Sequence, residues 1–279
     1  MSLPGVRLGE RLGPFPAPLT AGFLADYATA TRDPSAAARR GEVVLPAALL
    51  TRIWDAQEHG RVALTDPAVQ ELSTGAVHGE HELRLHRPIE PGEQLAVSVE
   101  GHGARASGDK AFVTLRYAMH DARDELVAEQ WWTTVYFGVG CEPVGEPPPD
   151  HGFPETARDH MLGTHTVTVD ATMTRAYAEV SGDWSAHHFE VEAARASGFD
   201  RVFLHGLCTM ALCAQGVVAL AGDGDPARLR RVAVRFASPT FVDEDLAVQV
   251  YDAGDLGVAF EAFSAGARVI AHGRAELSD

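Results

Sequence analysis

Asp183 and His188 sit in Ser181-Gly182-Asp183-Trp184-Ser185-Ala186-His187-His188, and seventeen residues further on His205-Gly206 opens a long apolar run. A carboxylate and an imidazole on one short loop-to-helix segment can move a proton on and off a small molecule. Ser-Gly-Asp is also ordinary turn and cap chemistry, and Asp183 taken singly reads equally as an N-cap for a helix starting near Ser185. The weight lies in the whole stretch: Tyr177-Ala178, Asp183, His188, Ala193, Gly198-Phe199 and His205-Gly206-Leu207. His187 reads as solvent-facing or structural, and His205 as holding the start of the following helix by hydrogen bonding. A zinc site built from Asp183, His187, His188 and His205 is disfavoured, because adjacent histidines on a helix point apart. No metal is expected.

Composition narrows the partners. The chain has 279 residues, a formal charge of −16, 46% hydrophobic and 22% charged residues, the profile of an ordinary globular protein with room for one large or two smaller cores. That acidity argues against nucleic acid and anionic membrane surfaces, which demand basic stripes. An anionic ligand needs a local cluster, and Arg228, Arg230, Arg231 and Arg235 are the densest one. Cys141, Cys208 and Cys213 lack metal-ligand spacing and suit a reducing compartment. The N-terminal MSLPGVRLGERLGPFPAP has no apolar stretch of a signal peptide, and His205 and Gln215 interrupt the apolar run 203–221, so a cytoplasmic protein with no membrane span is expected. No glycine cluster forms a Rossmann or P-loop pattern, and Trp131-Trp132 reads as core or interface packing.

The elements that must position the pair come from a repeat. Residues 27–36 (YATATRDPSA) lie over 177–186 (YAEVSGDWSA) at an offset of 150, with five of ten positions identical. Residues 81–99 lie over 232–250 at an offset of 151, matching Arg84/Arg235, Pro88/Pro239, Glu93/Glu244, Leu-Ala-Val at 95–97/246–248 and Val99/Val250. Two collinear matches predict a duplicated unit: 1–146, a semi-rigid Pro-rich linker at 147–150, and 151–279. In the second unit the run 203–221 predicts a helix stopped at Gly222, followed by strands at 232–236, 246–251, 258–263 and 269–277. The first unit shows strands at 81–87, 94–101, 112–119 and 125–137, with Leu45–Gln57 as its helix. Strands on short turns form an antiparallel sheet, and an apolar helix needs a sheet face to cover it. The fold class is α+β, a curved antiparallel sheet wrapped around a long helix, present twice.

These residues resemble the MaoC-like dehydratases, also called hydratase 2 or (R)-specific enoyl-CoA hydratases, of the double hotdog fold. The family pattern runs Tyr-x-x-x-Ser-Gly-Asp-x-Asn-Pro-Ile/Leu-His, then a small residue and Gly, then His-Gly. Here it appears as Tyr177, Ser181-Gly182-Asp183, Ser185-Ala186-His187-His188, Gly198 and His205-Gly206, with Val77-His78-Gly79-Glu80 and His86-Arg87-Pro88 in the other half. The chain departs from it at Ser185 (Asn in the family), Ala186 (Pro) and His187 (an aliphatic residue). The resemblance implies reversible hydration of a trans-2-enoyl thioester to the (R)-3-hydroxyacyl thioester, in fatty acid metabolism. Asp183 and His188 would hold a water between them, and the Gly206 amide would face the thioester oxygen. Ser185, His205 and Arg235 would contact substrate, Arg235 through a coenzyme A phosphate. Coenzyme A or acyl carrier protein enters only as part of the substrate, and no separate cofactor is implied. A further homodimer is an expectation by analogy with hotdog pairs.

The two halves differ at the site. Asp33 stands in the place of Asp183, but Ala37 and Ala38 stand where His187 and His188 would be, so one site is expected and the first half shapes the acyl pocket. The family resemblance implies that the vacated site often becomes the tunnel for a longer acyl chain. Two alternatives remain open: a hotdog acyl-CoA thioesterase, disfavoured because 203–221 carries no carboxylate, and a binding protein that has lost catalysis, motivated by Ser185 and Ala186.

Overall fold

The offset of the sequence repeat is also the offset of the structure. In the computed structural model, which describes residues 3–278, strand β1 (Arg11–Pro18) and helix α1 (Ala21–Ala30) are matched by β7 (Met161–Val169) and α5 (Ala171–Ser181). Met1, Ser2 and Asp279, the outermost residues of the two expected units, lie outside the described residues. After α1 come the short helices α2 (Ala36–Arg39), α3 (Trp54–Leu64) and α4 (Pro67–Leu72), with a 3-10 turn at Pro46–Thr51 before α3. Strands β2 (Gly75–Leu85), β3 (Gln94–Ser107), β4 (Lys110–His120) and β5 (Leu126–Phe137) complete the first unit, with a two-residue β6 (Val144–Gly145). After α5 the second unit runs through α6 (Val191–Ala196), α7 (Gly206–Ala221), β8 (Leu229–Phe236), β9 (Glu244–Asp252), β10 (Val258–Ser264) and β11 (Ala267–Leu277). The expected strands are all present; the first-unit helix instead splits into the 3-10 turn and α3, which runs to Leu64 rather than Gln57.

Eleven strands among the described residues form one sheet, ordered β1-β3-β4-β5-β2-β8-β11-β10-β9-β7, with β6 on β3. The units join through antiparallel β2 and β8, where Glu80 faces Arg235 and Leu83 faces Val232. Each unit thus completes the other's sheet. Helix α7 packs on β7, β8, β9 and β10, and α3 on β1, β3 and β4. Burying α7 requires small and apolar residues on almost every side, and Cys208, Met210, Ala211, Leu212, Cys213 and Val217 are buried. This is the double hotdog.

The segment that connects the units is packed down on them. The Glu146 amide donates to the His102 carbonyl at 3.1 Å, and buried Arg231 donates to the Asp150 carbonyl at 2.7 Å while pairing with Glu82. Phe153 and Ala157 form a small separate core with Tyr251 and Ala259. No helix among the described residues is long and apolar enough to cross a membrane.

Candidate active site

The site begins where α5 stops. Gly182 takes a left-handed conformation (φ +83), and its amide bonds the Ala178 carbonyl at 2.9 Å. A Cβ at this position would also lie 3.1 Å from the Trp54 ring, so backbone angle and packing both require glycine. Asp183 then folds the chain back on itself: its Oδ1 accepts from the Ser185 amide at 3.0 Å and the Ser185 hydroxyl at 2.6 Å. That turn leads into the 3-10 turn Ala186–His188. Asp183 is therefore the head of a turn rather than the N-cap of a helix, and its Oδ2 is left facing His188.

His188 is 5% exposed. Its Nδ1–H donates to the Phe203 carbonyl at 2.9 Å, which fixes the tautomer and leaves a lone pair on Nε2. Nε2 stands 3.8 Å from Asp183 Oδ2. That gap is too long for a direct hydrogen bond and suits a water bridging the two acceptors. Burial, then the neighbouring His205 and His187 imidazoles, push the His188 pKa down to about 2, so the ring is neutral in ordinary conditions.

His205 lies face to face with His188, ring centroids 3.8 Å apart, and its Nε2–H donates to the Asp183 carbonyl at 2.9 Å. It ties the start of α7 to the turn, the structural task its position predicts. Ser185 spends its hydroxyl on Asp183. Ser185 and His205 thus each make a positioning contact to Asp183. Arg235 stands apart from the cluster: its neighbour Phe236 turns inward to Gly206, and alternation along β8 sends the exposed Arg235 to the opposite face.

His187 joins the site, against the expectation from helical geometry. The tight 3-10 turn brings its Nε2 to 3.1 Å from His188 Nε2, and its ring stacks on Phe203 at 5.2 Å. When the His187 proton sits on Nδ1, this contact carries no hydrogen and leaves the His188 lone pair to a water. The only sequence signal for this was adjacency to His188. Ligand atoms of Asp183, His188 and His205 lie within 4.8 Å of one another. The two imidazoles are stacked, however, so their nitrogens run side by side instead of converging on a tetrahedral centre, and His205 Nε2 already carries a hydrogen-bonded proton. The arrangement favours water over a cation.

Helix α7 starts beside this pair at Gly206, and His205 provides no side-chain cap to its first turn among the described residues. Free amides and the helix dipole both favour negative charge there. A Cβ on Gly206 would lie 3.3 Å from the Phe236 ring. Phe236 packs on His78 at 4.7 Å, His78 stacks flat on Trp132 at 3.7 Å, and Trp132 meets Trp54 at 6.3 Å, beneath Gly182. The first unit therefore walls the second unit's site with aromatic rings, and Trp132 packs at the interface as its sequence setting suggests.

The matching loop of the first unit borders a cavity of about 120 Å³, lined among others by Tyr27, Asp33, Ser35, His165 and Gln215. Asp33 repeats the Asp183 turn, its Oδ1 accepting from the Ser35 amide at 2.9 Å, without the imidazoles.

Residues 153–265 match the MaoC like domain family, and residues 8–130 match the FAS1-like dehydratase domain region. The chain is 32% identical over 181 residues to 3-hydroxyacyl-thioester dehydratase Y of Mycobacterium tuberculosis, covering 63% of this chain and 61% of that protein. It is 24% identical over 187 residues to the peroxisomal enoyl-CoA hydratase 2 of Arabidopsis thaliana, covering 63% and 59%. The match thus spans about three fifths of these relatives' length. The crystal structure of a MaoC-like dehydratase from Phytophthora capsici superposes with a TM-score of 0.82 at 20% identity, over 98% of this chain and 97% of that one. The fold is that of the double hotdog proteins, and the match to the MaoC like domain lies in the half that carries Asp183 and His188.

Proposed function

We propose that the protein is a hydro-lyase that reversibly adds water to a trans-2-enoyl thioester, giving the (R)-3-hydroxyacyl thioester. The observation that carries this is the 3.8 Å opening between Asp183 Oδ2 and His188 Nε2 beside the Gly206 end of α7. A water there gives both hydrogens to the two acceptors and turns its lone pairs toward C3 of the substrate. As its oxygen bonds to C3, one of its protons passes to the Asp183–His188 couple. The C2–C3 π pair moves toward the thioester and forms an enolate. The Gly206 amide and the helix dipole meet the negative oxygen, a donor of a kind that supplies roughly 2.7–4 kcal/mol of transition-state stabilisation. The couple then returns a proton to C2, so one water is added and the site is restored. His187 and His205 hold the pair in register.

The names borne by the relatives, a 3-hydroxyacyl-thioester dehydratase and an enoyl-CoA hydratase 2, support the same reading. The steps close with the chain's own residues, so no metal or redox cofactor is required, and coenzyme A or acyl carrier protein is the substrate's carrier. Buried Cys208 and Cys213 thiols suit a reducing compartment such as the cytoplasm. A further homodimer belongs to the same proposal.

The test is incubation with crotonyl-CoA. Loss of the conjugated enoyl absorbance and formation of the (R)-3-hydroxy product support the proposal. Release of free thiol would favour a thioesterase, and neither signal a binding protein. Asp183→Asn and His188→Ala should each lower turnover by about 10³-fold with the fold intact by circular dichroism; unchanged turnover in both would sink the assignment.

A further inference from the structure

His188 has one lone pair and two claimants for it. Its Nδ1–H is committed to the Phe203 carbonyl, so the neutral ring accepts at Nε2 alone. The water of the proposed reaction needs that lone pair, and His187 Nε2 stands 3.1 Å from the same atom. An aliphatic residue in the place of His187 could make no such claim.

The His187 ring is pinned on two sides. It stacks on Phe203 with centroids 5.2 Å apart and an interplanar angle of 8°, and it meets His188 edge-on at 4.2 Å. Phe203 is backed in turn by Phe199 at 4.6 Å. A ring so held changes the contact by the place of its proton rather than by swinging away. With the proton on Nδ1, the facing lone pairs of His187 and His188 favour a donor such as water. With a proton on Nε2, His187 donates to His188 and takes the lone pair itself. The imidazolium carries a proton on both nitrogens, so protonation leaves only this second arrangement.

The titratable groups facing His187 are the Asp183 carboxylate and the His188 and His205 imidazoles. Burial lowers the His187 pKa, and Asp183 opposes that shift. Burial lowers His205 as well, and His188 is pushed down to about 2. Of the two rings in contact, His187 therefore takes the proton first as pH falls.

We propose that His187 gates the water site: protonated, it occupies the His188 lone pair and stops hydration, and with its single proton on Nδ1 it admits the water. The proposal rests on the hydratase reading of the Asp183–His188 pair.

Hydration of crotonyl-CoA by the full chain would be followed from about pH 7.5 to about pH 5 in the wild type and in His187→Leu, with melting temperatures checked at both ends. The wild-type kcat should fall by about fivefold or more, and that of His187→Leu by less than about twofold. Parallel falls in the two proteins, or no fall in the wild type, overturn the gate and leave the hydratase reading standing. If the wild type turns over no crotonyl-CoA, the hydratase reading fails by itself. In that case, or if the variant does not fold, the imidazole nitrogen NMR signals of the wild type decide. The His188 Nε2 signal should shift as His187 takes up its proton, and a signal that stays in place overturns the gate.

Discussion

The loops 27–38 and 177–188 share a plan, and among their differences three bear on what each loop does. Both end a helix, turn on an Asp whose Oδ1 takes the amide two residues on, and place a Ser after it. Where the second loop has Gly182 at φ +83, the first has Arg32 at φ +54, an uncommon conformation for a side-chain-bearing residue. Arg32 uses that exposed perch to reach Asp170 and the Thr168 carbonyl of the other unit. Gly182 could not be replaced in the same way, because Trp54 lies against it. Where the second loop has His187 and His188, the first has Ala37 and Ala38. One copy has spent its loop on holding the units together, and the other carries a buried imidazole facing a carboxylate.

Substitution at the shared Asp separates the two loops most sharply. With crotonyl-CoA, Asp183→Asn should lower turnover by about 10³-fold and Asp33→Asn by less than about tenfold. Equal losses would erase the distinction. A stability contrast comes next. Gly182→Ala should cost about 1–2 kcal/mol in urea unfolding, since Ala is strained in the left-handed region and its Cβ meets Trp54. Arg32→Gly relieves a similar angle while losing a half-exposed ion pair, and should fall within about 0.5 kcal/mol of wild type.

The smallest contrast is in pH. His188 has a folded pKa depressed to about 2, far below the unfolded value of about 6.5. The unfolded chain therefore binds the proton first. The stabilisation is present above about pH 6.5 and is lost progressively as pH falls from there toward 2. Unfolding measured at about pH 7.5 and about pH 5.5 should show a loss of about 1 kcal/mol, reduced in His188→Gln. The alanines of the first loop add nothing to this slope. A pH response identical in wild type and variant would assign the effect elsewhere.

Much of the architecture was legible because the two copies can be laid over each other. The motif blocks, the alternating strands and the apolar run at 203–221 all survive as elements. β1 was invisible, since Pro14, Pro16 and Pro18 argue against a strand; it is tolerated because it lies at the sheet edge and needs few donated hydrogen bonds. The exposed β7 at the other edge gave little hydrophobic signal. Within the site, the proximity of Asp183 to His188 was readable from the sequence, whereas Gly206 came from the family resemblance. His187 was misplaced because its ring folds back along Phe203 onto His188, a side-chain rotation that residue spacing does not announce. The aromatic wall of Trp54, His78 and Trp132 joins residues far apart in the chain, and no local pattern announces it.

The pairing of β2 with β8 has a consequence for descent. Two separate identical subunits meeting this way must carry every mutation twice, so losing a catalytic residue silences both centres at once. A covalent fusion breaks that obligation. One half could shed its histidines and drift toward ligand selection while its twin went on working, with the shared seam keeping them one body.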